Sequence, residues 1–204
     1  HKVRCMARRP AFLQNRVSSN TKIVKGDVLD LKSLEVALSG VHTAYYLVHS
    51  MGAPGEFEEQ DRRGANNFGL AAARCGVKRI IYLGALANPD APALSVHLRS
   101  RLEVGRLLTQ YGVPVIEFRA SIILGNGSLS FELVRSLVER LPIMVTPKWV
   151  RVLAQPIGIE DVLQYLLAAL TLPEGANAIY EIGGSEQVSY MDLMREYARQ
   201  QQLR

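Results

Sequence analysis

Arg79-Ile-Ile-Tyr-Leu-Gly-Ala-Leu86 is an almost unbroken apolar run between Gly76 and Asn88-Pro89-Asp90. A strand buried on both faces reads this way, which in a water-soluble domain places it in the middle of a parallel sheet. A helix is expected next, over Val96 to Gln110. Ser95 stands where a hydroxyl caps free N–H groups, and Gly112 stands where a left-handed residue ends the element. His97 and Arg101 are four residues apart, so imidazole and guanidinium are expected on one helix face. In open α/β sheets chemistry gathers at the carboxyl ends of strands, which draws attention to Gly84, His97 and Arg101. Taken alone, the His97/Arg101 pair also fits an exposed helix face.

Working outward, the same alternation repeats. Strands are expected at His1–Ala7, Lys22–Lys25, Thr43–Val48, Val113–Ile123 and Ala178–Ile182. Asp30 is placed to cap a helix from Leu31 to Leu38, with Leu31, Leu34, Val36 and Leu38 as its apolar side. A longer helix, Glu56 to Cys75, opens with acidic residues that suit the positive end of its dipole. Its inward stripe (Phe57, Gly64, Ala65, Phe68, Ala71, Ala72 and Cys75) is mostly small. Such a stripe packs closely on a sheet or on a partner helix, so a homodimer is compatible with it. Further helices are expected over Phe131–Leu141, from Ile159-Glu-Asp161 to Leu170, and after Ser189.

Strands alternating with helices at this spacing imply an α/β fold with a doubly wound parallel sheet. No linker divides the chain, so one domain over 1–204 is expected. Residues 1–124 would be its nucleotide-binding part and 125–204 a small C-terminal cap lobe with late sheet elements. The stretch Pro142 to Gln155 is apolar but aperiodic, and Met144 and Trp149 are expected to line a substrate pocket there.

Composition narrows the function classes. Apolar content is 48% and charged content 21%, as in globular domains. No apolar run approaches the roughly 18–20 residues of a transmembrane helix. Cys5 and Cys75 have no metal spacing and read as buried free thiols in a reducing cytoplasm. The net charge of +5 is dispersed and lacks an aromatic-studded basic stripe, so nucleic acid is not the expected partner.

No G-x-G-x-x-G occurs; Gly125-Asn-Gly127 is read as a turn and Gly183-Gly184 as a strand-to-helix loop. Arg8 follows the first strand, where an arginine can meet a ribose 2′-phosphate. As a lone feature it reads rather as a solvated surface arginine. Asp27 follows the second strand and could accept from an adenine amino group, or simply make a turn. His49, in the loop after the third strand, either faces the same crevice or does no chemistry.

Together these residues resemble the short-chain dehydrogenase/reductase superfamily in its extended and atypical branch. Sugar-nucleotide epimerases, NmrA-like regulators and isoflavone-reductase-like proteins belong to that branch. Val3-Arg-Cys-Met-Ala-Arg8 is similar to its second strand and NADP-favouring arginine, and Gly26-Asp27-Val28-Leu-Asp30 to its adenine-side motif. Gly76 to Leu83 resembles the strand carrying the catalytic serine. Glu117-Phe-Arg119 through Gly125, and Gln155 to Asp161-Val, resemble later family segments in the right order.

The resemblance implies a Rossmann-like fold and a bound NADP, with NAD as an alternative. Arg8, Asp27, Val28, His49 and Gly84 would be cofactor-side residues. The family begins with a strand and a glycine-rich turn, whereas this chain starts after both. A first strand is therefore expected to be missing between His1–Ala7 and Thr43–Val48, and the native polypeptide to carry more residues before His1. The catalytic set is also altered: Gly84 stands at the serine position and His97-x-x-x-Arg101 replaces Tyr-x-x-x-Lys. An imidazole can transfer protons near neutral pH, but a guanidinium cannot shuttle one.

The resemblance implies three functions. One is an atypical NADPH-preferring oxidoreductase acting on an apolar carbonyl or quinone-like substrate. Another is a non-catalytic NADP sensor with a protein partner. The third is a sugar-nucleotide epimerase, disfavoured by the loss of the tyrosine.

Overall fold

The computed structural model describes residues 1–50, 55–88, 94–140 and 148–203, without the side chains of Ser130, Lys148 and Trp149. The chain forms two compact units, His1–Glu117 with Pro173–Ile179, and Phe118–Leu172 with Tyr180–Arg204.

In the first unit, β1 (Val3–Ala7) pairs in parallel with β2 (Thr21–Lys25), Ala7 opposite Lys25. A short 3-10 turn at Pro10–Phe12 comes after β1, where proline ends the pairing. Helix α1 (Leu31–Leu38) starts at Asp30, whose side chain accepts from the Lys32 N–H. β3 (Thr43–Tyr46) pairs in parallel with β4 (Arg79–Ala85), Tyr46 opposite Tyr82. Between them runs α2 (Glu56–Arg74), and after β4 comes α3 (Val96–Leu108), capped by Ser95, with Gly112 beyond it at φ 75°. β5 (Val115–Ala120) continues the sheet, whose order is β3-β4-β5-β9 with β9 at Ala178–Ile182. β1 and β3 belong to different sheets.

β4 is the strand around which this unit packs: Ile80, Ile81 and Tyr82 are wholly buried. Ile80 and Tyr82 meet Leu34 of α1, Phe68 of α2 and Leu108 of α3 in one core. Each such side chain contributes about 1.5–3 kcal/mol through burial. The small stripe of α2 is used within the chain, since Gly64, Ala65, Ala71 and Ala72 are all buried. A Cβ on Gly64 would lie 3.0 Å from the Tyr46 hydroxyl and 3.1 Å from Val28 Cγ2, so glycine lets the helix come this close.

Three expectations need correction. Val36 is 70% exposed, because α1 turns Leu34, Ala37 and Leu38 inward and position 36 falls on the opposite side. Cys5 and Cys75 are free but only half-buried. The single strand expected over 113–123 is two strands, since the chain leaves the main sheet at Ser121. β6 (Ile122–Leu124) then pairs in parallel with β8 (Pro156–Gly158).

That pair belongs to the second unit, with α4 (Leu129–Arg140), β7 (Leu153–Ala154), α5 (Ile159–Ala168), β10 (Val188–Ser189) and α6 (Tyr190–Gln200). Ser189 and Asp192 form a reciprocal capping box at the start of α6. A small core joins Val134, Val150 and Met194. Val150 from the aperiodic stretch thus serves packing. Met144 lies outside the described residues, as does the side chain of Trp149, so neither can be placed in a pocket.

Candidate functional site

At the carboxyl ends of β1 and β2 lies a cleft of about 280 Å³ lined by Arg8, Lys25, Gly26, Asp27, Asp30 and Ser33. Parallel pairing creates it: the Gly26 N–H still donates to the Ala7 carbonyl at 3.1 Å, so the residues after both strands emerge side by side. Arg8 is exposed. Asp27 closes a turn through Oδ1, which accepts from the Leu29 N–H at 2.9 Å. Ser33 braces that turn, its hydroxyl accepting from the Asp27 N–H at 3.0 Å. Val28 points toward the core, and its carbonyl accepts from Asn67 Nδ2 on α2 at 3.0 Å. Lys25, unforeseen from sequence, puts a second cation beside Arg8.

A second cluster gathers at the carboxyl ends of β3 and β4. Arg101 is only 8% exposed, and its guanidinium is committed to backbone. Nη2 donates to the Leu83 carbonyl at 2.6 Å and Nη1 to the Val48 carbonyl at 3.3 Å. The guanidinium also lies 5.1 Å from the Tyr82 ring centre, while the Tyr82 hydroxyl donates back to the Arg101 carbonyl at 2.9 Å. Burial pushes the phenols of Tyr82 and Tyr46 well above their ordinary value, so both stay protonated.

His97 stays exposed, 6.3 Å from the Phe57 ring centre to centre. The helix face expected to carry both residues is therefore divided, with His97 outward and Arg101 sealed beneath it. His49 is at the surface, yet partial enclosure lowers its imidazole pKa below the ordinary value. The charge of Arg101 and that of a protonated His97 lower it further, and Asp61 opposes them. His49 and His97 thus share one electrostatic neighbourhood.

Gly84 is held by its surroundings. A Cβ there would stand 2.9 Å from Glu117 Oε1 and 3.0 Å from Tyr82 Cε1. Asp61, also buried, accepts from the Ser50 N–H at 2.7 Å and from Ser100 Oγ at 3.0 Å. Neither carboxylate is marked as buried by the sequence. An Asp in an otherwise ordinary helical pattern carries no local signal of burial.

In the second unit a groove of about 460 Å³ is lined by residues including Glu186, Asp192 and Glu196. Asp192 is used in the capping box, and Glu196 accepts from Arg199 and Gln200. Among the described residues no group of His, Cys, Asp and Glu is arranged to hold a metal ion. No helix among them is long and apolar enough to cross a membrane.

Residues 1–110 match the NAD(P)H-binding family. The chain belongs to that family. This NAD(P)H-binding chain has the Rossmann-like fold of the extended short-chain dehydrogenase/reductases and sugar-nucleotide epimerase-like proteins. It is similar in fold to MoeE5 in complex with UDP-glucuronic acid and NAD (TM-score 0.80, 19% identity, covering 100% of this chain and 75% of that one). It is also similar to DesIV, a dTDP-glucose 4,6-dehydratase from Streptomyces venezuelae, with NAD bound (TM-score 0.78, 16% identity, 95% and 67% covered). A third neighbour is the UDP-glucose 4-epimerase of Thermotoga maritima with UDP-glucose (TM-score 0.76, 12% identity, 98% and 74% covered). Among curated proteins none is detectably similar in sequence.

Two cations, Arg8 and Lys25, and two carboxylates, Asp27 and Asp30, line the first cleft.

Proposed function

We propose that the chain is an NADPH-preferring oxidoreductase of atypical type, reducing an apolar carbonyl or quinone-like substrate. The observation that carries this reading is the pairing of Arg8 with Lys25 in the cleft after β1 and β2. Two cations favour a ribose 2′-phosphate over a hydroxyl. Asp27 would receive the adenine amino group. When bound, NADPH supplies the hydride. His97, exposed at the start of α3, would give its proton to the substrate oxygen from the imidazolium form. Arg101 would brace the strand ends beneath it without touching the proton. The apolar substrate class rests on the sequence from Pro142 to Gln155.

A second reading is favoured by Gly84. With Glu117 packed against it, the site has no room for a serine hydroxyl, and one donor to a developing oxyanion is lost. A protein that binds NADP and signals its occupancy to a partner needs no such donor.

NADPH oxidation against a panel of quinones and carbonyls, for wild type and His97→Ala from pH 5 to 9, tests both. The oxidoreductase reading expects turnover that falls as pH rises, because only the imidazolium of His97 carries the proton to be given, and a loss of about 10²–10⁴-fold in His97→Ala. No turnover at any pH, with NADPH affinity unchanged by the substitution, leaves the sensor reading.

A further inference from the structure

Asp61 sits in the second turn of α2 and is 3% exposed. A carboxylate that deep is costly unless its oxygens are hydrogen-bonded. Oδ1 accepts from the Ser50 N–H at 2.7 Å and Oδ2 from Ser100 Oγ at 3.0 Å. The first donor belongs to the segment after β3. The second belongs to α3, next to Arg101 and one turn from His97. Two separate pieces of chain therefore converge on one side chain carried by a third.

The Arg101 guanidinium supplies the other half of the arrangement. It holds the Val48 carbonyl at 3.3 Å and the Leu83 carbonyl at 2.6 Å. His49 is thus flanked in sequence by two anchored backbone atoms, the Val48 carbonyl under Arg101 and the Ser50 N–H on Asp61. A histidine in a free loop would lose most of its positional definition to chain entropy. Here both peptide groups next to it are fixed by buried charged groups, and charge-assisted bonds are the stronger kind.

We propose that Asp61 is a positioning residue: with Arg101 it clamps the backbone on either side of His49 and holds that imidazole in the same site as His97. The catalytic consequence rests on the reading of His97 as proton donor; the clamp itself does not. Among the described residues, Asp61, Arg101 and His97 are the charged and titratable groups that act on His49, Asp61 from α2 and the other two from α3. Asp61 is the single group among them that favours the imidazolium.

Asp61→Asn keeps the shape of the side chain but exchanges the charge-assisted bond to the Ser50 N–H for a weaker neutral one, and so loosens the clamp. The experiment follows the His49 ring by NMR titration in wild type and Asp61→Asn, and the Ser50 amide by hydrogen exchange in wild type. NADPH oxidation is measured in both proteins and in His97→Ala. The expected results are a protected Ser50 amide, a His49 titration displaced to lower pH in Asp61→Asn, and a fall in kcat. Displacing His49 by up to an ångström beside the proton donor makes that fall approach about a hundredfold. A freely exchanging Ser50 amide in wild type overturns the clamp even if the variant does not fold. So does a His49 titration that ignores the substitution. An unchanged kcat in Asp61→Asn, in a protein that His97→Ala disables, overturns the positioning role. If the NMR results are as expected but His97→Ala leaves turnover intact, the clamp stands and the reading of His97 fails.

Discussion

A Cβ built on Gly84 would lie 2.9 Å from Oε1 of Glu117, so the buried carboxylate fills the space that a side chain at 84 would need. Glu117 cannot simply swing aside. On its other flank a Cβ at Gly105 would stand 2.5 Å from Oε2. Two glycines, one on β4 and one on α3, thus make the slot for one glutamate.

Gly84→Ala is therefore expected to cost about 1–3 kcal/mol, the usual penalty for overpacking a tight interior. Gly84→Ser should cost at least as much and restore no activity. Chemical denaturation measures the loss. A serine variant as stable as wild type would show that the carboxylate moves more freely than its two flanks allow.

The proposed NADPH preference places cofactor choice at Arg8. Replacing it with Ala should weaken NADPH binding about tenfold to a hundredfold, the worth of one charge-assisted bond of roughly 1.5–3 kcal/mol. NADH binding should hardly change. Lys25→Ala should weaken NADPH in the same direction. Titrating both cofactors against the three proteins decides the matter, and equal wild-type affinities would remove the basis for an NADPH preference.

Arg101→Lys tests whether the fork of the guanidinium is needed. An ammonium is a point charge and cannot reach the Leu83 and Val48 carbonyls in the same planar geometry. Loss of one of these two bonds predicts destabilisation by about 1–3 kcal/mol, read as a lower denaturation midpoint with unchanged m.

The lowered imidazole pKa of His49 has a definite sign. Between the folded and unfolded pKa values the unfolded chain binds more protons, so stability rises with pH there. The contribution is fully present above the unfolded value of about 6.5. It is lost progressively as pH falls through the folded one. Urea denaturation from pH 5 to 8 should show stability dropping below that point, and His49→Gln should flatten part of the drop. A steeper drop in the variant would mean that His49 takes up protons more readily when folded.

The sequence by itself determined the main strands and helices and the order in which they come, though not the short strands β6, β7, β8 and β10. Ile80 to Leu83 read as a buried strand, Asp30, Ser95 and Ser189 as caps, and Gly112 as a left-handed stop, and each is so. These are local matters: apolar period, a hydroxyl or carboxylate within reach of the next N–H groups, and a backbone angle that glycine tolerates. The residues after β1 and β2 were legible too, because parallel strands bring their next residues out at the same end. Tertiary structure alone decided how side chains are used. Arg101 and His97 share a helix spacing, yet one is sealed against two carbonyls and the other left in water. Asp61 and Glu117 look like surface acids in the one-dimensional pattern. They are buried because distant groups meet them: Ser50 and Ser100 for Asp61, the open space beside Gly84 and Gly105 for Glu117. Periodicity reports which face of an element is apolar. Only the packed neighbours determine whether a polar group on the other side finds a partner that offsets the cost of its burial.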